Sequence, residues 1–206
     1  SFIWASIDTC CTHSCHGERW RADAALKWEK QGMGCWWNHR GERPYGGISG
    51  ENCATCTGSI HWLIAMADDN DTPYLQAITT NEIESDTILL LGLDTQRHMG
   101  IKVSGSENTC HIYNKSLQTW RRIPMSQTSQ GLLIVRVDHF VVAKDWHRQH
   151  GKPLENLATW RRYYPENIRA NTEVALVATR ADPSPPPEPV RWHFNPKARG
   201  LPKDWN

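Results

Sequence analysis

No run of apolar residues in this chain reaches the length needed to cross a bilayer, and the opening SFIWASIDTCC lacks the charged stretch and apolar core of a secretory signal. Both absences point away from a membrane. The first residue is Ser rather than Met, as in a processed or excised piece. Charge of one sign is lacking too: 23 Lys and Arg face 22 Asp and Glu over 206 residues, for a net charge of +1. There is no overall basic field to hold a polyanion, although a local groove can be basic on a neutral protein. Phe is scarce, three residues against eleven Trp. Each indole brings a large apolar face and one N–H that needs a partner, so these rings either build the core or stack on bases.

Cysteine is not scarce, and its placement is uneven. Of seven, Cys10, Cys11, Cys15, Cys35, Cys53 and Cys56 fall in the first 56 residues and only Cys110 lies beyond. Disulfide frameworks spread their bridges through a small domain. Crowding at one end, mixed with His13, His16 and His39, favours metal binding, reduced thiols and an intracellular setting.

SFIWASID alternates as a short buried strand. GERWRADAALKWEKQG predicts a helix, with Trp20, Ala24 and Trp28 at i, i+4, i+8 and Gly32 as its stop. NHRGERPYGGISGEN reads as loop, TGSIHWLIAMA as a second helix, and DDNDTP as a solvated turn. DTILLLGLD, HMGIKVSG, TCHIYNK and GLLIVRVDHFVVA read as strands, with a further strand in TEVALVATRA and a short helix in PLENLATWRRYYPENI. DPSPPPEPVRW is of polyproline type.

The motifs that carry chemistry are HGE at 16–18 and CATCTGSI at 53–60. His-x-Glu followed by Cys-x-x-Cys is the pattern of zinc nucleobase deaminases. Two thiolates three positions apart on the first turn of a helix would face one side, where the helix dipole keeps them ionised. One imidazole would complete three ligands, with the fourth tetrahedral position left to water. On this reading His16, Cys53 and Cys56 hold zinc (Zn2+), and Glu18 moves the proton from metal-bound water to the ring nitrogen and leaving ammonia.

Over roughly residues 1–66 these motifs resemble the cytidine deaminase-like superfamily, in particular its cytosine and guanine deaminases. The resemblance implies a three-layer α/β fold, one zinc per active site and hydrolytic deamination of a base, free or within a nucleoside or single-stranded nucleic acid. The expected organisation is a zinc-binding core over 1–80, a β-rich C-terminal extension over 81–182 in the same sheet or a second domain, and a Pro-rich tail over 183–206. A homo-oligomer is compatible with it. Trp36, Trp37 or Trp62 would stack on the base.

Two other readings stand beside it. Cys35, His39, Cys53 and Cys56 have the spacing of a structural zinc finger, which would make the chain a non-catalytic interaction module. Cys35 or Cys110 with His61 would make a cysteine hydrolase. TWRRI and TWRRYY combine Arg with aromatics, as in nucleic-acid contacts or ordinary cation–π packing.

Overall fold

The computed structural model describes residues 2–154 apart from 34, 39–42, 50–51 and 116, with the backbone alone at 36–38, 43–49 and 52–54. The expected elements in TEVALVATRA and PLENLATWRRYYPENI, and the Pro-rich tail, lie outside the described residues. In chain order the elements are β1 (Trp4–Ile7), β2 (Cys15–Gly17), α1 (Glu18–Lys30), β3 (Trp36–Asn38), β4 (Arg43–Ser49), β5 (Asn52–Ala67), β6 (Pro73–Ile83), β7 (Leu89–Leu91) and α2 (Leu93–Met99). Then come β8 (Ile101–Ser104), β9 (Thr109–Asn114), β10 (Thr119–Ile123), β11 (Met125–Gln127), β12 (Leu133–Arg136) and α3 (Phe140–Gln149).

Nine strands form one mixed sheet in the order β11-β12-β1-β7-β2-β6-β5-β3, with β4 also on β5; β8, β9 and β10 form a separate three-stranded sheet. This corrects the expected three-layer α/β arrangement: the described residues hold three helices against twelve strands. The decisive segment is TGSIHWLIAMA. It is not a helix but part of the sixteen-residue β5, paired antiparallel with β6 from Cys56–Ile83 to Ala67–Pro73. Trp62, Leu63, Ile64, Ala65 and Met66 are all fully buried, so both faces of the strand are covered. A continuous apolar run has neither the period of a half-buried strand nor that of an amphipathic helix. Its partner across a tight acidic turn decides the outcome.

That turn is built by Asp68, whose Oδ1 accepts the backbone N–H of Asn70 and of Thr72, both at 2.9 Å. Its other oxygen faces Arg121 Nε at 4.0 Å, while Asp69 meets Arg122 at 3.2 Å. DDND is therefore a structured corner, and the arginines of TWRRI are engaged with it. Trp120 carries Lys102 3.9 Å above its ring. The stretch read as loop, RPYGGIS, is β4, and the end of GLLIVRVDHFVVA enters α3 instead of extending a strand.

Helix α1 forms as its periodicity demands, burying Trp20, Ala24 and Trp28. Lys27 and Lys30 in the last turn complement the dipole, and Gly32 leaves the helix at φ 70°. Trp20, Trp28 and Trp62 are core residues, and each finds a partner for its N–H. Trp20 donates to the Trp4 carbonyl (2.8 Å), Trp28 to the Leu63 carbonyl (2.7 Å) and Trp62 to Thr80 Oγ1 (2.7 Å). Their rings meet edge to face, Trp62 against Trp20 at 5.6 Å and against Trp28 at 5.8 Å.

Candidate functional site

Strand β7 runs between β1, to which it is parallel, and β2, to which it is antiparallel. Because Ile7 lies opposite Leu91, the chain leaves β1 and β7 at the same end of the sheet. The loop from Asp8 to Ser14 leaves one, and Gly92 with α2 leaves the other. Chemistry-bearing side chains often sit on loops held by a rigid support.

The two exits are laced together. Asp8 N–H donates to the Leu91 carbonyl (3.2 Å), Leu93 N–H to Cys11 (2.8 Å) and Asp94 N–H to Thr12 (3.1 Å). Gln96 Nε2 donates to the Leu91 carbonyl (2.6 Å) and the Asp8 carbonyl (3.1 Å). Gly92 N–H donates to Ser14 Oγ (3.0 Å), which itself meets Thr95 Oγ1 at 2.6 Å. A Cβ on Gly92 would stand 2.6 Å from the His13 carbonyl carbon, so only glycine lets the loop lie this close.

On this frame sit Asp8, Cys10, Cys11, His13 and Asp94. The Asp8 carboxylate accepts the Cys10 N–H at 2.9 Å, an Asx-type turn that fixes its orientation. His13 Nδ1 meets Asp94 Oδ2 at 3.0 Å. Asp8 and Cys11 are half-buried, while Thr9, Cys10 and His13 are exposed. None of these five was singled out as a catalytic group from sequence. A single Asp ending a strand is no local signal, and Asp94 lies 81 positions from His13.

No protein-family model matches the chain, and no curated protein matches it. Among solved structures, the retroviral protease-like domain of Ddi1 from Leishmania major is similar over 60% of this chain and 93% of that domain. The identity is 16% and the TM-score 0.36, which speak to neither activity nor substrate.

The zinc deaminase reading, and with it the resemblance to the cytidine deaminase-like superfamily, is overturned by where its residues fall. His16 lies on β2 with its ring fully buried between Trp20 (5.4 Å) and Trp62 (5.8 Å). Glu18 opens α1 with a largely exposed side chain that meets Arg21 at 3.1 Å. Cys53 and Cys56 lie on β5, not on a helix, which removes the reason for expecting two thiolates on one side. A register shift between Cys56 and Gly58 sets Gly58 opposite Glu82 but Cys56 opposite Ile83. His16 is level with Glu82 across β2 and β6, so the Cys56 side chain falls on the other face, with Cys15, Ile83 and Leu90. Among the described residues no three His, Cys, Asp or Glu side chains come together to hold a metal ion.

What His16 does meet is an ion network. Its Nε2 stands 3.6 Å from Glu82 Oε2, beyond hydrogen-bond reach, and neither ring nitrogen has a hydrogen bond. Arg21 Nε donates to the same oxygen, and Thr57 reaches Oε1 at 3.4 Å. Burial pushes the His16 imidazole below its ordinary value, against the pull of Glu82. Burial alone would raise the Glu82 carboxyl, but His16 and Arg21 outweigh it and hold it below the usual carboxylate range. His16, Glu82 and Arg21 form a buried cluster inside the sheet, a structural arrangement.

Among the described residues the finger and thiol-hydrolase readings find no geometry either, and the Cys53 side chain is not among them. Cys35 packs in the main core and Cys56 in the smaller apolar cluster, while His39 lies outside the described residues. Burial pushes the Cys35 and Cys110 thiols up to about 12, the opposite of an activated nucleophile. His61 Nδ1 is engaged with Thr79 Oγ1 at 2.8 Å.

Proposed function

We propose that the chain is a peptide hydrolase of the two-carboxylate type, in which Asp8 is the carboxylate that each copy supplies. The observation that carries this reading is the Asp8 carboxylate, oriented by the Cys10 amide on a loop fastened to the β7 exit. A carboxylate held in this way, half-buried and on a rigid support, is preorganised to take a proton from water. One carboxylate does not suffice. Amide hydrolysis of this type needs two that share a proton: the ionised one accepts a proton from the attacking water, and the protonated one hydrogen-bonds the substrate carbonyl. Water adds to the carbonyl carbon, the proton passes to the amide nitrogen, and the C–N bond breaks. A second copy related by a two-fold axis through the site supplies the other Asp8. The Leishmania domain's description as retroviral protease-like agrees with this reading but lends it no weight.

Cleavage of a fluorogenic peptide set across acidic to neutral pH tests it. Asp8→Asn keeps an oxygen for the Cys10 amide, so the variant should retain its melting temperature and lose ~10²-fold or more in activity. Equimolar mixing with Asp8→Asn should reduce the wild-type contribution to about half, because mixed dimers carry one carboxylate. Activity that survives Asp8→Asn refutes the proposal. Loss on Asp94→Asn or on alkylation of Cys10, with Asp8→Asn active, would move the chemistry to the His13–Asp94 pair.

A further inference from the structure

The loop that carries Asp8 and the start of β2 hold a pair of thiols that face each other. Cys11 Sγ stands 4.0 Å from Cys15 Sγ and donates its hydrogen to the His13 carbonyl at 2.8 Å. Cys15 is fully buried with Cys56, Ile83 and Leu90, and Cys11 packs half-buried against the same cluster. The backbone is held at both ends. Cys11 accepts the Leu93 N–H through its carbonyl, and Cys15 is paired with Asn81 and Leu90 inside the sheet. A disulfide needs its sulfurs about 2 Å apart.

We propose that Cys11 and Cys15 are a reversible redox modification site, closing to a disulfide under the loop that presents Asp8. That this regulates Asp8 rests on the peptidase reading above; that the bridge forms does not. The oxidant is a low-molecular-weight disulfide such as oxidised glutathione. Cys11, the more accessible sulfur, loses its proton to solvent and attacks the glutathione disulfide, whose S–S bond breaks to release one glutathione thiolate. Cys15, deprotonated in turn, attacks the Cys11 sulfur of the mixed disulfide and displaces the second glutathione. Two protein thiols give up two electrons, and one glutathione disulfide becomes two thiols. Closure removes the S–H that Cys11 donates to the His13 carbonyl, within the residue whose ring meets Asp94. The bridge therefore acts on the loop that carries Asp8.

The full chain, folded and reduced, is treated with oxidised glutathione, alkylated, and read by intact mass and fragment mapping. The expected product has lost two hydrogens through a Cys11–Cys15 link, reverts with dithiothreitol, and forms equally in Cys10→Ser. Cys11→Ser, a half-exposed substitution that leaves the cluster's buried sulfurs in place, should not form it. A glutathione adduct alone, a bridge that needs Cys10, or an intermolecular disulfide overturns the proposal. If the bridge forms and peptide cleavage falls several-fold with it, the regulation holds. If the bridge forms on a chain whose activity is independent of Asp8, the peptidase reading fails and the modification site stands.

Discussion

Arg21 is the cation that makes the buried carboxylate of Glu82 tolerable, and replacing it isolates that dependence. The two side chains are 14% and 9% exposed, and Arg21 also reaches Glu18 at 3.1 Å. Arg21→Met keeps most of the aliphatic stem and removes the guanidinium. Breaking a buried pair by deleting one partner costs about 3–5 kcal/mol, because the remaining charge is left uncompensated. Thr57 and His16 still face Glu82, so the lower end, about 3 kcal/mol, is expected near pH 7. The sign of the pH dependence follows from the pairing. Glu82 is held below its ordinary value of 4.5, so its contribution is complete above that value and is lost as pH falls through the lower folded one. His16, pushed below 6.5 by burial, also binds its proton more readily in the unfolded chain, so stability falls on acidification below 6.5. Without Arg21 the Glu82 carboxyl rises, and acid unfolding begins at a higher pH. Urea titrations near pH 7, 5 and 3 should show the difference between variant and native chain largest at neutral pH and closing in acid. The double variant Arg21→Met/Glu82→Leu should recover most of the loss. A deficit under about 1 kcal/mol at neutral pH, or one that grows on acidification, refutes the account.

Trp62 is fully buried and touches His16, Trp20 and Trp28, so Trp62→Ala should cost about 3–5 kcal/mol in chemical denaturation; a loss below half of that would mean the ring cluster collapses around the hole. A Cβ on Gly17 would lie 1.8 Å from the Ser85 carbonyl oxygen, a backbone atom that cannot swing aside, so Gly17→Ala should cost ~3 kcal/mol or more. Gly105→Ala, with open space around it, should stay within ~0.5 kcal/mol of the native chain as the matched control, and equal melting temperatures for the two would refute the packing argument.

Helix α1 was legible in the sequence because its information is local: Trp20, Ala24 and Trp28 repeat at the helical period, and the face they define is the face that is buried. The same holds for β1, for the acidic turn before β6 and for the strands β8 and β9, where apolar runs are bounded by turn residues. Trp20, Trp28 and Trp62 join the core, while Trp120 stays exposed.

What failed was everything that depends on a partner far along the chain. The second half of TGSIHWLIAMA, WLIAMA, is apolar on every side, so its period is silent, and only pairing with β6 makes it a strand. Cys53 and Cys56 then lose the helical turn that would have aligned their sulfurs, and a single register shift sends Cys56 to the face away from His16. His16, which looked like a ligand beside Glu18, is closed in by indoles and meets Glu82 from a strand 66 positions away. The Asp8 loop shows the same division. Its residues were in plain view, but what makes them a site is β7 lying between β1 and β2, which brings Gly92 and Asp94 against His13. Helical periodicity is written in neighbouring residues, whereas strand pairing is a long-range choice among faces, and only the assembled sheet makes it.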